Sequence, residues 1–315
     1  MRSAQLRPTQ VATSSFARRY APFLVAYLCM VPALRRTSDC TTPHTTRGMR
    51  PGSHAIEAAV MNLDFSRRVV SSALVAGVLS GFLLTVLQQL WVAELIVEAE
   101  KYEQVTSQAP LNEGNHTAHV AFAQKDGIRW MLQGSVQRVA RTAVANSALG
   151  VGFALLLSAV LVLRCKSVGR FSGLAWGLAG YSAFFVAPSL GLPPELPGMD
   201  VGSVAARQVW WIAVALMTAA GLWLLTAKLN WPFQLVACAL VLIPHVVGPP
   251  MPLGEVAGSP LQSLKAPFIV ATAVTNALFW VAIGGFTCFF YGRSMTAGVS
   301  DRSKGYADQG PRIKG

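Results

Sequence analysis

From residue 69 onward the chain alternates between long uncharged apolar stretches and short charged connections. Six stretches are long enough to cross a bilayer: 69–93, 142–163, 171–194, 208–227, 229–254 and 266–292. About 20 helical residues cross about 30 Å of hydrocarbon. In that medium each backbone N–H and C=O must find its partner within the segment, which selects helices over open sheets. The pattern therefore predicts an all-α fold, a polytopic membrane helix bundle of about six transmembrane helices. The third and fifth stretches end in Pro/Gly-rich tails that should lie outside the hydrocarbon. The fifth holds Asn230, Pro232, Gln234, Pro244 and His245 in or near it, so five spans plus a re-entrant segment is the alternative.

Loop charge orients the bundle. Arg67 and Arg68 precede span one, Arg164, Lys166 and Arg170 join spans two and three, and Lys228 joins four and five. Arg293, Arg302, Lys304, Arg312 and Lys314 follow span six. The alternate connections are acidic or balanced: Glu195 and Asp200 between spans three and four, Glu255 with Lys265 between five and six. The first long connection, 98–141, has as many acids as bases. Basic loops stay on the cytoplasmic side, so both termini should face the cytoplasm and the loop 98–141 should face outward.

Composition agrees with the pattern. The chain is 53% hydrophobic and only 13% charged, with a mean hydropathy of +0.45, against about 25% charged in soluble domains. The net charge of +12 would suggest nucleic acid if it formed one surface. It does not: residues 1–68 carry +7, residues 292–315 carry +3, and the body between them is almost neutral. No basic cluster is interleaved with aromatics, so no nucleic-acid partner is indicated. Residues 1–60 form an Arg/Ser-rich leader unlike the rest, expected to be disordered or to reflect a start assigned too far upstream, with Met61 as the alternative start. The membrane domain is then 61–293, and 294–315 is expected to be a disordered cytoplasmic tail.

Cys29, Cys40, Cys165, Cys238 and Cys288 are scattered without CxxC spacing, so neither disulfides nor a zinc site are indicated. A weak parallel repeat relates Pro188-Ser-Leu-Gly191 to Pro244-His-Val-Val-Gly248, each followed by a span with a similar Trp-containing core. Gly77-Val-Leu-Ser-Gly81 and Gly173-Leu-Ala-Trp-Gly177 are GxxxG motifs that predict close helix packing. Trp91, Trp210 and Trp211 fit an interfacial aromatic belt. GxxxxGKS/T, GxSxG and HExxH are all missing, which removes an ATPase P-loop, a serine-hydrolase elbow and a zinc-protease helix.

The candidate chemistry gathers at the outward end. Glu94 and Glu98 are i,i+4 neighbours on a continuing helix, and like charges there repel unless a cation lies between them. Glu100 and Glu103 follow, then His116 and His119 in the loop, Glu195 in the next outward turn, and His245 with Glu255 near the end of span five. Carboxylates with imidazoles suit divalent first-row metals, so Glu94, Glu98, His116, His119 and His245 are the candidate metal ligands, with Glu195 and Glu255 as outer-loop acids. Solvated interfacial acids are the plainer reading of the same residues. His245 stands out because an ionisable group at membrane depth is costly. Gln88, Gln89, Asn146, Arg207 and Asn276 are the polar residues within the spans. Amides at depth commonly join helices by hydrogen bonds, and the alternative is a hydrophilic pathway. Arg207 is expected to pair with Glu195 or Asp200.

Together these residues resemble a known family. Leu83-Leu-Thr-Val-Leu-Gln88-Gln89-Leu-Trp91, running into Ile96-Val-Glu98-Ala-Glu100-Lys-Tyr102-Glu103, is similar to the first span of the cobalt transporter subunit family CbtA. Asn146–Ala154, Gly177–Gly198, Ala206-Arg207-Gln208-Val-Trp210-Trp211, Pro244-His245 and Thr275-Asn276-Ala-Leu-Phe-Trp280 agree as well, and the resemblance covers about 62–293. It implies a multi-pass subunit of Co²⁺ uptake in a bacterial cytoplasmic membrane, linked to cobalamin synthesis, with a small single-span His-rich CbtB partner. It implies no enzyme and no resident cofactor, Co²⁺ being the transported ion. The chain departs from the family in its His-poor first outer loop, which holds only His116 and His119. The rival readings are a non-transporting membrane scaffold, a transporter of another divalent metal such as nickel, and an intramembrane enzyme, for which no acid/base pair is found.

Overall fold

The computed structural model describes residues 54–107, 123–164, 172–199, 202–227, 230–250 and 261–308. Among these the chain is helical with no strand: α1 His54–Trp91, α2 Ala93–Ser107, α3 Ala123–Arg164, α4 Ser172–Tyr181, a π-helix Ser182–Val186, α5 Ala187–Gly191, α6 Val204–Thr226, α7 Trp231–Val247 and α8 Leu261–Asp308. Five segments are long and apolar enough to cross a membrane: Asp64–Trp91, Ser135–Leu163, Ser172–Gly191, Val204–Thr226 and Leu261–Ser294. The predicted fifth span is the 17-residue α7, about 25 Å at 1.5 Å per residue, at the short end of what crosses hydrocarbon. The chain is therefore a multi-pass helical membrane protein.

The sequence explains where α7 stops. Pro232 occupies its first turn, where a missing N–H costs nothing. At the other end Gly248 adopts φ +83°, a left-handed conformation open to glycine, and Pro249 and Pro250 follow. Pro193 and Pro194 after α5, like Pro249 and Pro250 after α7, lie beyond the helix ends. Helices α2 and α3 continue into the stretch expected to be the outer loop 98–141, and α8 continues to Asp308 into the expected polar tail. Helix formers such as Glu, Lys, Gln and Arg let these helices extend past the apolar runs.

Helix α1 packs inside-out relative to a helix of a soluble protein. On α1 the large apolar side chains Val70, Leu74, Val78, Phe82, Val86 and Leu90 are exposed, while Ala73, Ala76, Ser80 and Thr85 are buried. Lipid tails solvate large apolar groups as well as a protein interior does, so the buried face is selected for close approach and not for hydrophobicity.

The chain divides into two compact units. In the unit comprising 39–94, 105–177 and 278–315, α1 packs closely on α3. A Cβ added at Gly77 would collide with the Val151 backbone, and one at Gly81 with the backbone of Asn146 and Ser147. Gly173 and Gly177 meet the backbone of Trp280 and Gly284 in the same way. Both GxxxG motifs therefore mark backbone-to-backbone contacts. Phe153 covers Trp280, ring centroids 4.7 Å apart, and Phe279 and Trp280 are almost fully buried.

The other unit takes in 95–104 and 178–277. Here α6 and α7 pack against each other. The π-turn lies two residues before Pro188: Pro188 has no N–H for the Phe184 carbonyl, and the ring crowds that turn. Widening the helix absorbs the fault, and the Ala187 N–H reaches back to the Ser182 carbonyl. Tyr181 stacks on Phe185 at 5.4 Å, and its hydroxyl donates to the Ala273 carbonyl at 3.0 Å. Both arms of the weak repeat close alike: the Pro188 carbonyl accepts from Leu192 N–H at 2.9 Å and the Pro244 carbonyl from Gly248 N–H at 3.0 Å. The likeness is confined to these ends, because α7 contains no π-turn.

Candidate functional site

Within the first of these units the candidate polar residues form a small network between α1 and α3. Asn146 Nδ2 donates to Gln88 Oε1 at 2.7 Å and to Thr85 Oγ1 at 3.0 Å. Thr85 donates in turn to the Gly81 carbonyl at 3.0 Å. The GxxxG contact directly beneath brings these backbones close enough for short side chains to meet. Gln88 and Asn146, predicted as either helix-joining or pathway residues, are here joined to each other. Gln89 is the next residue on α1 and points outward, exposed. Glu94, at the start of α2, is also exposed.

In the second unit Glu98 pairs with Lys101 at 3.0 Å, one turn on along α2, both partly exposed. Asn276 is half-buried and donates to the Thr272 carbonyl of its own helix at 2.9 Å. Arg207 Nη2 reaches Glu195 Oε2 at 2.5 Å, with the two side chains 18% and 19% exposed. The expected ion pair is thus formed with Glu195, while Asp200 lies outside the described residues. Ser203 caps α6 by accepting from the Ala206 N–H, which fixes the first turn that carries Arg207.

His245 is buried, 4% exposed, and stands edge-on to Trp210, ring centroids 6.1 Å apart at 74°. Trp210 in turn lies over Gly191, where any Cβ would strike its indole ring. Trp210 is therefore a packing residue, buried between α5 and α7, whereas Trp91 and Trp211 are exposed as an aromatic belt requires. The sequence signal for this contact is Gly191 itself, a small residue three positions after Pro188.

The Glu195–Arg207 pair lies in the wall of a cavity of about 990 Å³, otherwise lined mainly by apolar side chains such as Phe184, Phe185, Trp211 and Ile212. Sequence reasoning did not identify Phe184 and Phe185. The clue available was Pro188, whose position two residues past Val186 creates the π-turn that carries them.

Among the described residues no three His, Cys, Asp or Glu side chains converge on a point where a metal could bind. His116, His119 and Glu255 lie outside the described residues. The structure thus pairs Gln88 with Asn146 and Glu195 with Arg207, and sets Glu98 against a lysine.

No curated protein and no solved structure matches the chain. A family model described as "Probable cobalt transporter subunit (CbtA)" matches residues 66–292. That match runs from inside α1 to inside α8 and takes in α2 to α7, the ion pair and the amide network. The role such a family implies is transport as one subunit of a complex, not catalysis. With most of its length and its whole membrane region inside the match, the chain belongs to the CbtA family of cobalt transporter subunits.

Proposed function

We propose that the chain is the membrane subunit of a Co²⁺ uptake system in a bacterial cytoplasmic membrane, supplying cobalt for cobalamin synthesis. The observation that carries this reading is the family match across the whole spanning region, 66–292. The alternation of basic and acidic connections supports cytoplasmic termini, with Glu94, Glu98, Glu195 and Glu255 toward the outward side. A small single-span His-rich CbtB subunit is the proposed partner.

In this reading the exposed carboxylates of Glu94 and Glu98 raise the local concentration of divalent cation. His116 and His119 pass it on, and Glu98 with His245 holds it at the mouth of the pathway. A divalent cation competes directly with the Lys101 ammonium for Glu98. Gln88 lies on the way in. An ion passing Gln88 takes the place of the Asn146 amide at its carbonyl oxygen. No covalent chemistry is involved, and the protein itself needs no resident cofactor.

The direct test is cobalt accumulation in cells with and without the gene, measured with a radioactive cobalt tracer against nickel and zinc as competitors. Equal accumulation in both strains sinks the proposal. The combined change Glu98→Gln and His245→Ala tests the site separately: uptake at the wild-type rate with normal protein levels leaves the function standing and removes this entry site.

A further inference from the structure

The cavity beside the Glu195–Arg207 pair plays no part in the cation pathway proposed above. It lies between the end of the span Ser172–Gly191 and the first turns of α6, with the Pro-rich segment 192–199 along one side. Both spans end there, so the cavity sits at the depth where hydrocarbon gives way to headgroups. Trp211 and Ile212 in its wall are exposed, 38% and 50%, so it opens to the surroundings of the bundle. Its volume of about 990 Å³ is that of a ligand pocket. The medium that faces such an opening in a membrane is phospholipid.

The charges in the wall select the headgroup. A lone arginine at this depth would favour an anionic lipid, because its planar fork matches a phosphate. Glu195, at 2.5 Å from Arg207, changes that choice. It cancels the net charge, repels a second anionic group and accepts hydrogen bonds from an ammonium. The complement of this adjacent cation and anion is a headgroup with a phosphate next to a primary ammonium. A quaternary ammonium has no N–H to donate and fits less well.

We propose that this cavity binds one zwitterionic phospholipid of the phosphatidylethanolamine type. The phosphate sits on Arg207, the ammonium on Glu195, and an acyl chain lies against Phe184, Phe185, Trp211 and Ile212. Both phenylalanines belong to the π-turn that precedes Pro188.

The test is native mass spectrometry of the full chain, released from detergent after equilibration with equal amounts of phosphatidylethanolamine, phosphatidylcholine and phosphatidylglycerol. The expected result is one retained phosphatidylethanolamine in preference to the other two. Arg207→Gln lowers that retention about tenfold, the effect of losing a hydrogen bond to a charged group. Glu195→Gln removes the anionic half of the pair and turns the preference toward phosphatidylglycerol, a reversal that mere destabilisation does not produce. Ile212→Trp keeps both charges, narrows the cavity and lowers occupancy, which guards against a misfolded charge variant. Equal retention of the three lipids overturns the proposal, as does an unchanged preference in Glu195→Gln. A wild-type chain that carries another protein's single span and no lipid also overturns it. The readout involves no cobalt, so its failure and the failure of the uptake proposal are separate results.

Discussion

Asn146 offers the sharpest test of how the membrane helices are held together. Its amide donates to Gln88 at 2.7 Å and to Thr85 at 3.0 Å, bridging α3 to α1. Interhelical hydrogen bonds in membrane proteins average about 0.6 kcal/mol and reach about 1.7. Two such bonds give about 1–2 kcal/mol for Asn146→Ala. The site cannot collapse to recover the loss, because Gly77, Gly81 and Gly150 already bring the two backbones into contact. A double-mutant cycle of Asn146→Ala with Gln88→Ala isolates the single bond between them, with an expected coupling of about 0.6 kcal/mol. The assay is reversible unfolding of the purified chain in mixed micelles of a mild detergent and SDS. A coupling of zero refutes the view that these amides join helices. Full stability in both single variants, combined with loss of cobalt uptake, would assign them to the pathway instead.

Three further outcomes are expected. Gly81→Leu places a branched side chain where the Asn146 and Ser147 backbone lies, and overpacking of this kind costs about 1–3 kcal/mol or more; lowered SDS tolerance in the same assay checks it, and wild-type tolerance would show that α1 and α3 can separate freely. Glu195→Gln leaves Arg207 without its carboxylate in a site about four-fifths buried, costing about 1–3 kcal/mol after allowance for its partial exposure. The exchanged pair Glu195→Arg with Arg207→Glu should recover part of that loss, and no recovery would mean that the orientation of the pair matters more than its charge. Trp210→Ala empties the space between Gly191 and His245, for an expected loss of about 3–5 kcal/mol; a thermal shift in detergent measures it, and His245 should become reactive to diethyl pyrocarbonate in that variant and not in the wild type.

Much of this architecture was legible in the chain. Each membrane-length helix coincides with an uncharged stretch, because the length of hydrocarbon to be crossed is the same for every span. The weakest stretch, 229–254, became the short α7, and its defects were visible as Pro232, Pro244 and Gly248. The GxxxG motifs pointed to close packing, since a glycine surface has few uses at depth other than letting another backbone approach. Pairing of Arg207 with an outward acid was legible too, with Glu195 and Asp200 both open, because a charge at the end of a span needs a neighbour of opposite sign. The outward acids were visible as a cluster, yet sequence spacing could not say that Glu98 would turn to Lys101.

What the chain alone settles is the medium it lives in, where its apolar stretches lie and the small-residue faces of its helices. These follow from composition and periodicity, which act locally. Partner choice is a different kind of quantity. That Asn146 meets Gln88, that Trp210 fills the space above Gly191, and that Phe184 and Phe185 share a cavity with the Glu195–Arg207 pair depend on helix rotation and register between segments up to 60 residues apart. In lipid the hydrophobic effect does not choose which face turns inward, because tails and cores are equally apolar. Close packing and a few hydrogen bonds make that choice, and both are properties of two surfaces at once.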